Sequence, residues 1–485
     1  MSAKHNVFDS FFYPKSVALI GISSDETKFG GRYLKTLREF GFSGEIYPVH
    51  PKETEVFGLK VYPTVKDIPN PVDFAIICVP ARFVPSVLED CLEKGIGAAE
   101  IFSSGFSEIG EEEGYKLEEE LIQKSKKGIR IIGPNCFGVY CPAGGLTLLP
   151  GADFSKESGP VGLISQSGGY ASEFCRQVKG YGIDLSKGVS YGNACDINES
   201  DLLEYFASDV DTKIIVAYLE GPKDGKRFVR ALKDVTMKKP VIIWKAGLTH
   251  AGARAVSSHT GSLAGEEVIW DTIFTQTGAT RVKNLEELLD TTLAFLHLPP
   301  STGRQLAVIG GGGGISVAAA DACEQAGLEI HPLPSTLQEQ LKAFIPPVGT
   351  SIRNPIDVGS PMPPLEVAQK ALEIAASDQK VQTLIATQAL HTFLSGNPGV
   401  FADRGENFVQ DSLRLPLDVR DKYGKPIVLV LSIGSTEIEM VKEEKMRREF
   451  RDFYFKHGIP VYPTLERAAA SVARVAKYYH FKKNR

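Results

Sequence analysis

The sequence predicts an α/β protein of three units in tandem, and three observations carry that prediction. Short apolar runs such as Val17-Ala18-Leu19-Ile20 and Ile427-Val428-Leu429-Val430-Leu431 alternate with amphipathic stretches. Runs that are apolar throughout fit strands covered on both faces, the state of a parallel sheet flanked by helices. At 485 residues the chain exceeds one ordinary core, and domains of roughly 150 residues give about three. Stretches rich in turn formers, Pro142 to Pro160 and Pro299-Pro300-Ser301-Thr302-Gly303, separate them. The predicted domains are 1–142, 143–298 and 303–485.

The first unit starts at Ser16 in a βαβα pattern. Val17–Ile20 leads into Gly21-Ile22-Ser23-Ser24 and a helix over Gly31 to Phe40, and strands follow at 45–49, 74–79, 99–102 and 129–132. In the second, Val161-Gly162-Leu163-Ile164 enters Ser165-Gln166-Ser167-Gly168-Gly169 and a helix over Tyr170 to Tyr181. Its further strands are 214–218 and 241–244, and a helix over Leu285 to Leu296 closes it. The third opens with Leu306-Ala307-Val308-Ile309, five glycines from Gly310 to Gly314 and a helix over Ile315 to Ala326. Strands at 383–386 and 427–431 and a helix over Leu465 to Tyr479 complete it.

Composition excludes several function classes. With 43% hydrophobic and 23% charged residues the chain reads as a globular protein. A net charge of −5 gives no global attraction to nucleic acid or anionic membrane. The acidic stretch Glu108 to Glu120 reads as a solvated helix face. Seven scattered cysteines include no CxxC pair and no zinc-type His/Cys spacing, so no metal site is expected and a reducing compartment is. Met1 to Phe12 lacks an apolar signal region and no segment approaches 18 uninterrupted apolar residues, so the expected location is cytoplasmic.

Parallel sheets bind ligands beyond the carboxyl ends of their strands, so the loops there carry the chemistry. After the first strand, Gly21, Ser23 and Ser24, with Lys28 beyond them, resemble a nucleotide-binding turn, but GxGxxG is absent because position 23 is Ser. The second strand ends at Val49-His50-Pro51-Lys52, where an NAD site would place an acid. His50 and Lys52 instead suit a ribose carrying a phosphate, as in NADP or coenzyme A; the other reading is a surface lysine on an ordinary turn. Val79-Pro80-Ala81-Arg82-Phe83 offers apolar surface for an adenine or a pantetheine arm. Ser103-Ser104-Gly105 and Gly133-Pro134-Asn135-Cys136 offer small residues that let backbone approach a ligand.

The second unit carries a different chemistry. Ser165, Gln166, Ser167, Gly168 and Gly169 join a strand to a helix, where free N–H groups and the helix dipole attract an anion; a plain capped helix start is the alternative. Glu220 lies just past a buried strand. His259 sits among small residues in Ser257-Ser258-His259-Thr260-Gly261, either as a helix-capping residue or as a nucleophile and phosphate carrier. A carboxylate such as Glu220, accepting from Nδ1 of an imidazole, would leave Nε2 as the nucleophile. There is no GxxxxGK[ST] loop, since Gly221 and Lys226 have the wrong spacing, and no separate nucleoside-triphosphate domain.

In order and spacing, Gly133-Pro134-Asn135-Cys136, Ser165-Gln166-Ser167-Gly168-Gly169, Glu220-Gly221, Ser258-His259-Thr260-Gly261 and Asn354-Pro355-Ile356-Asp357 resemble the α subunits of ADP-forming acyl-CoA synthetases, in the succinyl-CoA synthetase superfamily. The resemblance covers essentially the whole chain. It implies a Rossmann-like CoA-binding domain followed by two flavodoxin-like CoA-ligase domains, with coenzyme A as a substrate. It also implies a phosphohistidine at His259, oriented by Glu220, with phosphate held at Ser167 to Gly169. The family's ATP-grasp part, which binds ADP or ATP with Mg, lies on a β subunit or a fused region; here the implied partner is a β subunit, in an α2β2 assembly. Two alternatives stay open: a non-catalytic CoA-binding or sensing protein, which would need neither Glu220 nor His259, and an NADP-dependent oxidoreductase, which the missing GxGxxG disfavours.

Overall fold

The computed structural model describes residues 7–148, 151, 153–260, 265–360, 363–388, 408–432 and 441–485, with the side chains of 257–260, 408, 442 and 443 excepted. The chain forms two compact units, residues 1–288 and 289–485.

Two sheets make up the first unit. The first contains β1 (Ser16–Ile20), β2 (Glu45–Val49), β5 (Phe74–Ile77), β6 (Ala98–Ile101) and β7 (Arg130–Ile132), while β3 (Glu55–Val56) and β4 (Leu59–Lys60) form a small hairpin beside it. The order β2-β1-β5-β6-β7 is parallel throughout, and all five residues of β1 are buried. The second sheet, β13-β12-β11-β9-β10-β8, draws on β8 (Gly138–Tyr140), β9 (Ser158–Ser165), β10 (Leu185–Ser190), β11 (Ile214–Leu219), β12 (Val241–Lys245) and β13 (Thr280–Val282). Only β8 runs antiparallel in it, against β10. Because β8 spans 138–140, the second sheet takes up the chain before residue 142.

Backbone from the second sheet covers the outer edge of the first. Asn193, Cys195 and Ile197 N–H donate to the carbonyls of Pro134, Gly133 and Ile131, each at 3.0 or 3.1 Å. Asp196 accepts from the Ile131 N–H and from Arg130 Nε, both at 2.8 Å. Ahead of both sheets, the helix Val7–Phe12 packs Phe11 on Phe74 of the first sheet (5.4 Å between centroids) and Phe12 on Tyr205 of the helix Glu199–Ser208, which follows β10 (5.3 Å).

The second unit holds the third sheet, β15-β14-β16-β17-β18, all parallel, with β14 (Leu306–Gly310), β15 (Ile356–Asp357), β16 (Thr383–Gln388), β17 (Ile427–Leu431) and β18 (Val461–Tyr462). The helix predicted over Leu285 to Leu296 runs Leu285–His297, and from Leu289 onward it groups with this sheet. A two-pronged pair holds it there: Arg467 donates to the buried carboxylate of Asp290 at 2.6 and 2.7 Å. Paired planar geometry of this kind is the strong form of an ion pair.

In all three sheets the first parallel strand, β1, β9 or β14, has neighbours reached by leaving it on opposite sides. The crevices β1/β5, β9/β11 and β14/β16 are therefore switch points, where an open parallel sheet leaves room for a ligand.

Candidate functional site

At the first switch point lies a cleft of about 580 Å³. Of the predicted residues, Gly21, Lys28, Val49, His50, Pro51, Val79, Pro80 and Phe83 line it. Gly21 turns the chain at φ +89°, its N–H donates to the Val49 carbonyl at 2.9 Å, and a Cβ would stand 2.8 Å from the Cys78 carbonyl. The helix runs Phe29–Phe40, two residues longer at its start than predicted. Gly30 explains this, because a Cβ there would lie 2.6 Å from the Gly21 carbonyl: the helix starts flush on the turn. Phe83, 49% exposed, presents an apolar plate at the rim, with the Arg82 guanidinium stacked over it at 4.7 Å.

Other predicted residues stand outside that lining. Ser24, Lys52 and Ser104 are exposed, and Ser23 is half-buried with its hydroxyl lacking a hydrogen-bond partner. The Ser103 hydroxyl donates to the Val79 carbonyl, and the Gly105 and Phe106 N–H groups donate to Glu108 at 2.5 and 3.1 Å. Asn135, at φ +57°, donates through Nδ2 to Asn193 Oδ1 at 3.3 Å. Cys136 is 2% exposed and its thiol faces the Ile101 carbonyl at 3.3 Å, so it floors the loop; burial pushes this thiol well above its usual pKa. His50 Nδ1 accepts from the Lys52 and Glu53 N–H groups at 3.3 and 3.2 Å, which fixes the proton on Nε2 and the ring on its own turn. Phe29, Thr64, Ser86 and Asp90 also line the cleft and went unread in the sequence.

The acidic stretch differs from its expectation. Glu118 is 7% exposed, accepting from the Ser107 hydroxyl at 2.6 Å and from Asn193 Nδ2 at 2.9 Å, and Glu108 accepts from the same Nδ2 at 2.6 Å. A buried carboxylate needs such donors, and one of them comes from a residue 75 positions away in the chain.

The second switch point is built on Ser165–Gly169. The helix here runs Gly168–Val178, with Ser167 as its N-cap accepting from the Tyr170 N–H at 3.4 Å. Ser165 Oγ donates to the Ser167 carbonyl at 2.7 Å, which sets the loop's curvature. Gln166, buried, reaches the neighbouring strand end, where its Oε1 accepts from the Glu220 and Gly221 N–H groups at 2.9 and 3.2 Å. Glu220 is 3% exposed, and Tyr218 Oη lies 3.4 Å from its Oε1. Tyr170 packs at a tilt against Tyr218 and edge-on against Trp244, each with centroids 4.5 Å away. Gly168 faces the Phe137 ring so closely that a Cβ would sit 2.7 Å from it, and Phe137 in turn meets Phe29 of the cleft at 6.2 Å. An aromatic contact thus joins the two switch points.

His259 belongs to the helix His250–Thr260, which lies against the turn Ser107–Ile109 of the first sheet's loops. Its side chain, and hence its pairing with Glu220, falls outside the described residues, as do residues 261–264. No helix is long and apolar enough to cross a membrane, and no group of three metal-type side chains occurs among the described residues.

In the third sheet, Asn354-Pro355-Ile356-Asp357 braces the glycine run. Asn354 spans the sheet, accepting from Val308 N–H at 3.0 Å and donating to the Leu306 and His331 carbonyls at 2.6 and 3.0 Å. Asp357 Oδ1 accepts from the Gly312 and Gly359 N–H groups, both at 2.8 Å.

Three protein families match along the chain: a CoA binding domain over residues 15–142, a succinyl-CoA ligase like flavodoxin domain over 158–295, and a ligase-CoA domain over 306–484. The acetate–CoA ligase (ADP-forming) I subunit alpha of Pyrococcus furiosus is 38% identical over 98% of both chains. The corresponding II subunit alpha is 36% identical over 96% of both. An ADP-forming acetate–CoA ligase of Methanocaldococcus jannaschii is 43% identical, over 71% of this chain and 48% of its own length. Among solved structures, an acetyl-coenzyme A synthetase of Candidatus Korarchaeum cryptofilum in complex with phosphate and ADP has a TM-score of 0.82 at 32% identity, covering 98% of this chain and 97% of that one. These matches lend no support to an NADP-dependent oxidoreductase or a non-catalytic sensor. With relatives more than a third identical that align with nearly the whole length of the chain, the chain belongs to the family of ADP-forming acetate–CoA ligase α subunits.

Proposed function

We propose that this chain is the subunit of an ADP-forming acid–CoA ligase that transfers the acyl group from coenzyme A to phosphate and carries the phosphoryl group on His259. The supporting observation is that the CoA-type cleft, the Ser165–Gly169 loop with Glu220, and the helix bearing His259 occur in one compact unit. The proposed domains remain 1–142, 143–298 and 303–485, and the proposed setting is cytoplasmic, in keeping with seven free cysteines.

Coenzyme A lies with its apolar parts against Val79, Pro80 and Phe83 and its diphosphate at the Gly21 turn, with Lys28 and Lys52 at the rim. Phosphate is held at the helix start Ser167–Gly169, where N–H dipoles offset its charge. A phosphate oxygen attacks the thioester carbonyl; the C–S bond breaks and CoA leaves as the thiolate, giving acyl phosphate. Neutral His259 Nε2 attacks the phosphorus, the P–O bond to the acyl group breaks, and the carboxylate leaves. Glu220 accepts the Nδ1 proton in a hydrogen bond and steadies the imidazolium. The phosphoryl group then passes to ADP, which is held with Mg²⁺ on an ATP-grasp β subunit in an α2β2 assembly.

Incubation of the assembled ligase with acetyl-CoA and labelled phosphate tests this. Acid-labile label appears on His259 and is discharged by ADP; His259→Asn abolishes label and turnover while CoA still binds. Label elsewhere, or turnover by the variant, contradicts the assignment.

A further inference from the structure

Lys245 ends β12 and is 4% exposed. Its ammonium donates to the main-chain carbonyl of Glu220 at 2.8 Å and to that of Ala246, and it stands 5.1 Å from the centroid of the Trp270 ring. Burying an ammonium is costly unless its donors are satisfied and its charge is used. The donors here go to the ends of two adjacent strands, β11 and β12, at the second switch point. The same Glu220–Gly221 peptide is held from the other side by Gln166, whose Oε1 accepts the Gly221 N–H at 3.2 Å as well as the Glu220 N–H at 2.9 Å. The peptide that carries the carboxylate is therefore clamped on both sides, from β9 and from β12.

We propose that Lys245 is a positioning residue of the phosphoryl-transfer site, fixing the Glu220 peptide through its carbonyl and supplying a buried positive charge beside the Glu220 carboxylate. This rests on the assignment of His259 and Glu220 above. The loop Ser165–Gly169 carries no cationic side chain, while phosphate and the Glu220 carboxylate are both anionic. A fixed ammonium below the strand ends offsets that like-charge repulsion without contacting phosphate. Burial depresses the pKa of Lys245 to about 8, the Glu220 charge opposing the shift, so the side chain is mainly protonated near neutral pH.

Two variants separate charge from clamp. Lys245→Met removes both, and Lys245→Gln keeps an N–H donor for the carbonyls but not the charge. Both are assayed in the assembled ligase by acetyl-CoA- and phosphate-dependent labelling of His259, with KM for acetyl-CoA and the unfolding midpoint measured in parallel. The expected result is a labelling rate at least tenfold lower in Lys245→Met and at least fivefold lower in Lys245→Gln, with KM within twofold of wild type. A rate within twofold of wild type in the Gln variant overturns the charge role. A fall in rate matched by equal changes in KM and unfolding midpoint overturns the positioning role in favour of a purely structural one. Should Lys245→Met fail to fold, the Gln variant decides alone. Absence of label in the wild-type enzyme is a separate outcome: it removes the His259 assignment on which the proposal stands, and overturns both.

Discussion

The loops Ser165–Gly169 and Gly310–Gly314 occupy the same place in two sheets: each follows a buried strand, opens a helix, and borders a switch point. Their chemistry differs. The first is organised by its own side chains, with Ser167 capping its helix and Gln166 bonded across to Glu220 and Gly221. The second is nearly all glycine and depends on Asp357, which reaches over from β15 to take the Gly312 N–H at 2.8 Å. Space differs as well. Gly168 is closed in by Phe137, whereas a Cβ on its counterpart Gly313 meets only Asp357 Oδ2, at 3.9 Å, and Gly311 and Gly314 border a cavity of about 450 Å³. One strand–turn–helix unit can thus reach out to a neighbouring strand with its own side chains, or be braced by a side chain that reaches in from one.

Matched substitutions can break this comparison. The largest difference is expected for alanine at equivalent glycines. Gly168→Ala drives Cβ into the Phe137 ring and lowers turnover at least tenfold, whereas Gly313→Ala, whose Cβ meets only Asp357 Oδ2 at 3.9 Å, keeps the third sheet's fold and unfolding midpoint. Similar losses in both would show that crowding is not what separates the loops. Next in size, Gln166→Ala leaves two buried N–H groups without their acceptor and costs about 1–3 kcal/mol, lowering the labelling of His259 along with stability. Asp357→Ala costs a similar amount, but its unfolding transition shifts in the second compact unit only. Denaturant titration with a probe in each unit distinguishes the two.

The smallest effects concern pH, and they run in opposite directions in the two units. Glu100, fully buried in the first, has its pKa raised by desolvation well above the usual carboxylate range. The folded state therefore binds the proton more tightly, so stability falls as pH rises from the unfolded pKa towards the folded one. Glu100→Gln should flatten that slope. His297, in the second unit, is depressed to about 4 by burial, with Nε2 lacking a partner. Here the unfolded state binds the proton more tightly, so stability is lost as pH falls from about 6.5 to about 4. His297→Phe should retain the midpoint of the second unit across that window, as thermal unfolding at several pH values would show.

What the sequence made legible follows from range. Buried parallel strands and their first loops depend on local apolar runs and turn residues, so β1, β9, β14 and the segments Gly21–Ser24 and Ser165–Gly169 could be read directly. Edge strands of two or three residues, such as β13, β15 and β18, leave no periodic signal. Glu118 was misread as solvated because its partner Asn193 comes from another sheet. The His50 ring lines the cleft and also accepts from its own turn through Nδ1, a local bond that residue type alone does not disclose. Lys245 carried no signal in the sequence; only the meeting of β11 with β12 brings its ammonium to the Glu220 carbonyl. Phe29 and Phe137 gave no signal beyond hydrophobicity, although together they connect the cleft to the phosphate loop.

The backbone of residues 193–197, laid along β7, has a bearing on how such proteins can be taken apart. A first domain expressed alone and ending near residue 142 would lose the N–H groups that satisfy the Ile131, Gly133 and Pro134 carbonyls, together with Asp196 for Arg130. It would then present β7 as a bare sheet edge, a template for pairing with another copy. Ending at residue 197 would only move the bare edge to β9, whose partner β11 would be missing; fragments or chimaeras that carry the chain through β13 keep both sheets whole and should stay monomeric where shorter ones self-associate. In this fold the natural seam for recombination lies after the second sheet, not between the first and second domains that the sequence suggests.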